Sequence, residues 1–289
     1  MRLGPFQIQD PVPQLREPHV FATMRPWVDV GNVGTSTITH LEESFGAKFL
    51  GQLRRPGTFF DFTRYRPMSY FKEGKREISI PNVGLTFGSL PTGHDAIFMH
   101  LMEPHMFGES YVNGLLRLMV YFGVSRYILI GAMYDMVPHT RPLLVTGAAS
   151  TPELQSQMDR LLVRSSTYEG PTTITGLVAQ EANLKGIETT GMVVHLPQYA
   201  PLEDDHAGRL ALLQLCSELY DIPLDLSESK RQADVQYREI SRAVAANPQL
   251  KRLLEQLEVN FEERLKKSAP RSDEPKLSSE IEKFLREMD

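Results

Sequence analysis

The chain has 289 residues, 41% hydrophobic and 23% charged, a size and balance that suit one large α/β domain or two smaller ones. A formal net charge of -5 argues against nucleic acid or an anionic membrane as the main partner, and the single cysteine, Cys216, excludes an internal disulfide and a cysteine-based zinc site. The start, Met1-Arg-Leu-Gly-Pro-Phe, lacks the apolar run of a secretory signal, and the most apolar region, 115–137, is broken by Arg117, Ser125 and Arg126, so a cytoplasmic chain without a membrane span is expected.

In chain order, residues 1–20 are proline-rich and polar and read as an arm lying over the surface. The stretch 21–30 reads as a strand and Gly31-Asn32-Val33-Gly34 as a turn. Residues 35–45, with Ile38, Leu41 and Phe45 at helical spacing, form a helix closed by Gly46, and 47–53 a second strand. Thr35 and Ser36 are the expected helix caps. Residues 54–95 hold six aromatics between Phe59 and Phe71 and a turn signal at Glu73-Gly74-Lys75, which predicts an antiparallel insertion covering one edge of the main sheet. A buried strand over 95–102 and a helix over 111–122 follow. Next come a strand over 126–131 and helices over 152–163, with Leu154, Met158, Leu161 and Leu162 on one side, and 174–185. A strand over 190–196 and a helix over 204–220 complete the alternation, and Cys216 lies in the apolar run of that last helix as a small core residue. This order predicts a mainly parallel sheet with helices on both faces, a three-layer α/β/α sandwich over 21–227. The remainder, 228–289, reads as a helical extension: helices over 227–246 and 248–267, a linker over 269–276 and a short last helix over 277–288. Within it Leu250, Leu254, Leu257, Phe261 and Leu265 make an apolar stripe that needs a cover, either its own domain or a second subunit.

Ligands of open parallel sheets collect beyond the carboxyl ends of the strands. The loops expected at that edge carry Gly31, Asn32, Glu103, His105, Arg141 and His195, and the loop before residue 174 adds Glu169 and Thr172. Together these predict a polar crevice. Gly31-Asn32-Val33-Gly34 could cradle a phosphate or serve a tight strand-to-helix turn; it lacks the lysine of a phosphate-binding loop and full dinucleotide spacing. Glu103 could act as a general base or accept structural hydrogen bonds. Arg141 offers a planar fork to an anion or an ion pair to Glu103 or Glu169. His105, His139 and His195 lack the local spacing of a zinc site, so neither a metal nor a cofactor is expected. No Gly-x-Ser-x-Gly elbow supports a serine hydrolase. Arg54-Arg55, Arg64 and Arg66 lie near aromatics, but in an acidic chain they read as an exposed face of the insertion, not a nucleic-acid platform.

Val30-Gly31-Asn32-Val33, Glu103-Pro104, Pro138-His139-Thr140-Arg141-Pro142, Tyr168-Glu169-Gly170-Pro171, Ile174-Thr175-Gly176 and His195-Leu196-Pro197-Gln198-Tyr199, taken in this order, resemble the family named for proteasome assembly chaperone 2, over roughly 20–226. The resemblance implies a three-layer α/β/α fold related to nucleoside phosphorylases and hydrolases, a homo-oligomer such as a trimer, and a chaperone role toward proteasome subunits. The end, Glu287-Met288-Asp289, lacks the tyrosine with which archaeal relatives dock, which weakens docking through the tail. The leading expectation is therefore a homo-oligomeric protein-binding protein without evident catalysis. The alternative is a small-ligand binder or phosphorylase/hydrolase-like enzyme using the strand-end crevice, by analogy of fold.

Overall fold

The computed structural model describes residues 1–166 and 168–268, with side chains of the last helix described to residue 263. Its strands are β1 (Arg2–Leu3), β2 (Phe6–Ile8), β3 (His19–Arg25), β4 (Lys48–Leu53), β5 (Met68–Lys72), β6 (Lys75–Ser79), β7 (Gly84–Ser89), β8 (Asp95–Met102), β9 (Arg126–Asp135), β10 (Val145–Ala149), β11 (Arg164–Ser165) and β12 (Glu188–Pro197). The helices are α1 (Val33–Ser44), α2 (Gly108–Tyr121), α3 (Pro152–Arg160), α4 (Ile174–Leu184), α5 (His206–Leu219), α6 (Ser227–Ala245) and α7 (Pro248–Ser268).

Ten strands form one sheet in the order β1-β2-β4-β7-β8-β3-β9-β12-β10-β11. The central four, β8, β3, β9 and β12, run parallel. Their sequences are near-continuous apolar runs because both faces are covered. Along β3, Val20, Ala22 and Met24 point into one core with α2 and α4, while Phe21 points into the other with α1, α3 and α5. The two-residue alternation of the strand thus divides the interior into the two halves of a three-layer sandwich. Toward the flanks antiparallel pairs take over: β4 and β7 pair between β2 and β8, and β10 pairs with β12, while the short β11 lies parallel to β10 at that edge.

Two expectations are corrected here. The first twenty residues do not lie over the surface as an arm: β2 pairs with β4, and Phe6 and Ile8 are buried in the core. Alternation in a stretch as short as Phe-Gln-Ile is too weak a signal to outweigh the prolines around it. The insertion does not cover the sheet edge. Its β7 enters the sheet, while β5 and β6 form a separate hairpin in which every residue is exposed. The Glu73-Gly74 turn is as expected, with φ of 50° and 78° as a tight hairpin requires. Finally, β10, Val-Thr-Gly-Ala-Ala, carries little strand signal and is formed by its pairing with β12.

Beyond α5 the chain continues as α6, packed on α5, and α7, packed on α6. The break between them falls at Asn247, whose side-chain carbonyl accepts from the N–H groups of Gln249 and Leu250 and caps α7. The expected linker and last helix lie outside the described residues. Among the described residues no helix is long and apolar enough to cross a membrane.

Candidate functional site

Because β8, β3, β9 and β12 are parallel, their carboxyl ends open on one rim and carry the loops 103–107, 26–32, 136–144 and 198–205. From β3 the chain turns to α1 on one face; from β8 it turns to α2 on the other. Adjacent parallel strands whose connections diverge leave a crevice between them. An open groove of about 690 Å³ lies there, lined by Trp27, Phe62, Tyr65, Glu103 and His105 among others.

Glu103 is held at this groove by the start of α4. Its two carboxylate oxygens accept from the Ile174 N–H at 2.9 and 3.2 Å, the capping task that Thr173 leaves unfilled. Burial raises its carboxyl above the usual range, against that hydrogen bond. His105 Nδ1 accepts from the Asp61 N–H at 3.2 Å, which in the neutral ring leaves the proton on Nε2. Tyr65 donates its hydroxyl to the Glu103 carbonyl at 3.2 Å and packs edge-on against His105. The groove therefore joins aromatic faces to two carboxyl groups, Asp61 and Glu103, one guanidinium, Arg64, and one imidazole.

The other expected members go elsewhere on the rim. Gly31 (φ 59°) is buried, and a Cβ there would lie 2.9 Å from Cβ of Asp205; its carbonyl accepts from the Asp205 N–H at 2.8 Å. Asn32 donates to Asp204 at 2.8 Å. These two residues tie the start of α1 to the turn before α5. The helix cap nearby is Asp29, which accepts from the backbone N–H and the hydroxyl of Thr35, so Thr35 is a donor here and not the capping acceptor expected. Burial raises the Asp29 carboxyl.

Arg141 reaches α7. It lies 2.8 Å from Glu262 and 3.5 Å from Glu258, not against Glu103 or Glu169, and Thr140 donates to Glu258 beside it. His139 contacts the Tyr199 hydroxyl through Nδ1 (2.5 Å) and Ser241 of α6 through Nε2 (3.0 Å), and burial lowers its pKa. His195 lies within β12, between Asp135 (3.0 Å) and Thr146 (2.9 Å). The three histidines thus serve three separate networks, and among the described residues no group of three or more histidine, cysteine or acidic side chains is placed to hold a metal. Glu169 and Thr172 are exposed on the loop before α4.

Of the expected pocket members, then, Glu103 and His105 share a groove, while Gly31, Asn32, Arg141 and His195 bind neighbouring elements together. Sequence reasoning missed Trp27, Asp61 and Tyr65 as groove residues. The aromatic cluster at 59–71 was the available signal, but nothing in it specified which rings face the rim. The stripe on α7 turns inward in part: Leu257 is 3% exposed, and Leu250, Leu254 and Phe261 are half-buried against this same chain. The side chain of Leu265 lies outside the described set. Cys216 is buried, and burial pushes its thiol up to about 12, as befits a core residue.

A family model described as the PAC2 family matches residues 23–244. No curated protein matches the chain. Among solved structures, a Corynebacterium glutamicum protein of unknown function superposes with a TM-score of 0.81 at 20% identity, over 91% of this chain and 98% of that one. A proteasome-assembly chaperone homologue of Mycobacterium tuberculosis gives 0.73 at 24% identity, over 81% and 99%. The archaeal proteasome activator PbaB of Pyrococcus furiosus gives 0.63 at 16% identity, over 83% and 98%.

Proposed function

The chain belongs to the PAC2 family, and from that premise we propose that it is a cytoplasmic, homo-oligomeric protein-binding protein acting in the manner of a proteasome assembly chaperone. The observation that carries this reading is the β5–β6 hairpin. Phe71 (70% exposed) and Ile78 (66%) share one face of it with Ile80, and Met68 (67%) lies on the other. A two-stranded hairpin is marginal on its own in water, and a contiguous apolar patch on a soluble surface marks an interaction site. Both strands also keep an unpaired outer edge. The first occupant is a second copy of this chain, since a protruding apolar ribbon can meet its own copy about a two-fold or cyclic axis. Proteasome subunits, suggested by the names of a proteasome-assembly chaperone homologue and a proteasome activator, are the client class.

The test is the double variant Phe71→Ser/Ile78→Ser. These side chains are exposed, so the fold is retained. Light scattering should show a particle larger than 32.7 kDa for the unaltered protein and a smaller one for the variant, and pull-down of proteasome α-subunits should weaken with it. A 32.7 kDa monomer in both cases that captures no subunit would end this reading.

A second reading, a small-ligand site, is supported by the groove between the ends of β3 and β8, where Glu103 and His105 meet Trp27. Here Glu103→Gln should abolish any quenching of the sole tryptophan by a titrated nucleoside or organic amine. A signal that neither ligand evokes in the unaltered protein removes it.

A further inference from the structure

We propose that the groove between the N-terminal hairpin and α2 binds a condensed phosphate chain, a compact polyanion such as tripolyphosphate or the triphosphate of a nucleotide. Arg2, Arg54, Arg55 and Arg117 line this groove, whose volume is about 440 Å³, and among the described residues no aspartate or glutamate lines it. Among the described residues none of these four arginines takes part in an ion pair, although the chain as a whole carries a net charge of -5. All four are exposed, in a protein that has paired Arg16, Arg126, Arg141 and Arg231 with carboxylates.

The cluster comes from three distant stretches of sequence, brought together by close packing. A Cβ on Gly114 would lie 2.6 Å from Cδ of Pro5, so only a glycine lets the β1–β2 hairpin sit directly on α2 and set Arg2 beside Arg117. The Arg54 N–H donates to the Pro5 carbonyl at 3.1 Å, which brings the end of β4 to the same place. Like charges held this close repel: Arg2, helped by partial desolvation and by Arg55, depresses the pKa of Arg54. An anion relieves that repulsion. Ser110 and Asn113, on the same flank of α2 as Gly114 and Arg117, add hydrogen-bonding groups.

The chemistry of the lining selects the ligand. Guanidinium forks match phosphate oxygens in pairs. Four unneutralised cations in so small a groove call for high charge density, which a phosphate chain supplies and a peptide of equal charge, being longer, does not. The rings that line the groove, Phe6 and Phe59, are 0% and 4% exposed, so no aromatic face is free to stack on a base. Recognition is therefore of the phosphate chain, whichever molecule bears it.

The experiment is calorimetric titration of the full chain with sodium tripolyphosphate, ATP, orthophosphate, an octaglutamate peptide and oligo-dT at low and moderate salt. Tripolyphosphate and ATP should bind with similar affinity, orthophosphate and octaglutamate more weakly, and all the more weakly as salt rises. Arg54→Ala/Arg117→Ala should lose at least about tenfold in tripolyphosphate affinity, whereas Arg242→Ala, on the exposed face of α6, should lose none. Absence of tripolyphosphate binding, equal binding by the double variant, or tighter binding of oligo-dT or octaglutamate would each overturn the proposal. None of these outcomes depends on the β5–β6 hairpin or on a proteasome, so success or failure here is independent of the proposed function.

Discussion

His19 opens β3, 4% exposed, with its ring stacked on His94 at 4.7 Å and set against Tyr220. Among the described residues its buried Nδ1 has no hydrogen-bond partner. Burial, then Arg126 and His94, lower its pKa from 6.5 to about 4. The folded protein thus holds this ring neutral where the unfolded chain protonates it. Stability is unaffected above the unfolded pKa and falls as pH drops from about 6.5 toward 4, by up to about 3 kcal/mol. Urea midpoints at pH 7.5 and 4.5 should separate more for the unaltered protein than for His19→Asn; equal separations would show that His19 does not contribute. At this scale the sequence showed which residues were available but not how they were used. Glu103 was weighed as base or hydrogen-bond acceptor, and only the approach of the Ile174 N–H gives it a structural partner.

At the scale of elements, the central strands and most helices were legible because they are written twice: once in periodicity and again in the glycine, proline or capping residue at their ends. The flanks were not, since β2 and β10 are short and owe their form to β4 and β12. Within the C-terminal extension the structure forms α6 and α7 with a break at Asn247, and the sequence leaves open what covers the stripe on α7. The structure lays α7 against the rim through Arg141, Glu258 and Glu262, with Leu257 buried beneath. Arg141→Ala should therefore leave the fold intact and speed amide exchange across 248–263, more than in the neighbouring α6, as followed by mass spectrometry. Unchanged exchange would mean that apolar packing alone seats α7. The exposed setting of the pair makes a local effect the expected one.

For the molecule as a whole, the three-layer sandwich places its apolar runs between covered faces, while every residue of the β5 and β6 strands is exposed. That is why the predicted subunit contact moves from α7 to the hairpin: the stripe on α7 is spent in part inside the chain, and the hairpin buries nothing. A particle larger than one chain, reduced by hairpin substitution, is the whole-molecule consequence tested above. The arginine groove is likewise a property of the assembled fold. In the sequence Arg54 and Arg55 read as an exposed face of the insertion, and they join Arg2 and Arg117 only because the N-terminal strands return to the sheet edge.

Taken alone, the order and periodicity of residues determined the alternating strands and helices, the two-sided burial of the central sheet and, through six ordered tracts, the family. Those features are repeated over many residues, and each local preference agrees with the final fold. Tertiary structure alone decided which rim residues meet, that Arg141 faces α7 and not Glu169, and that four arginines line one groove. Such encounters depend on a few contacts between segments far apart in the chain, and no local pattern encodes them.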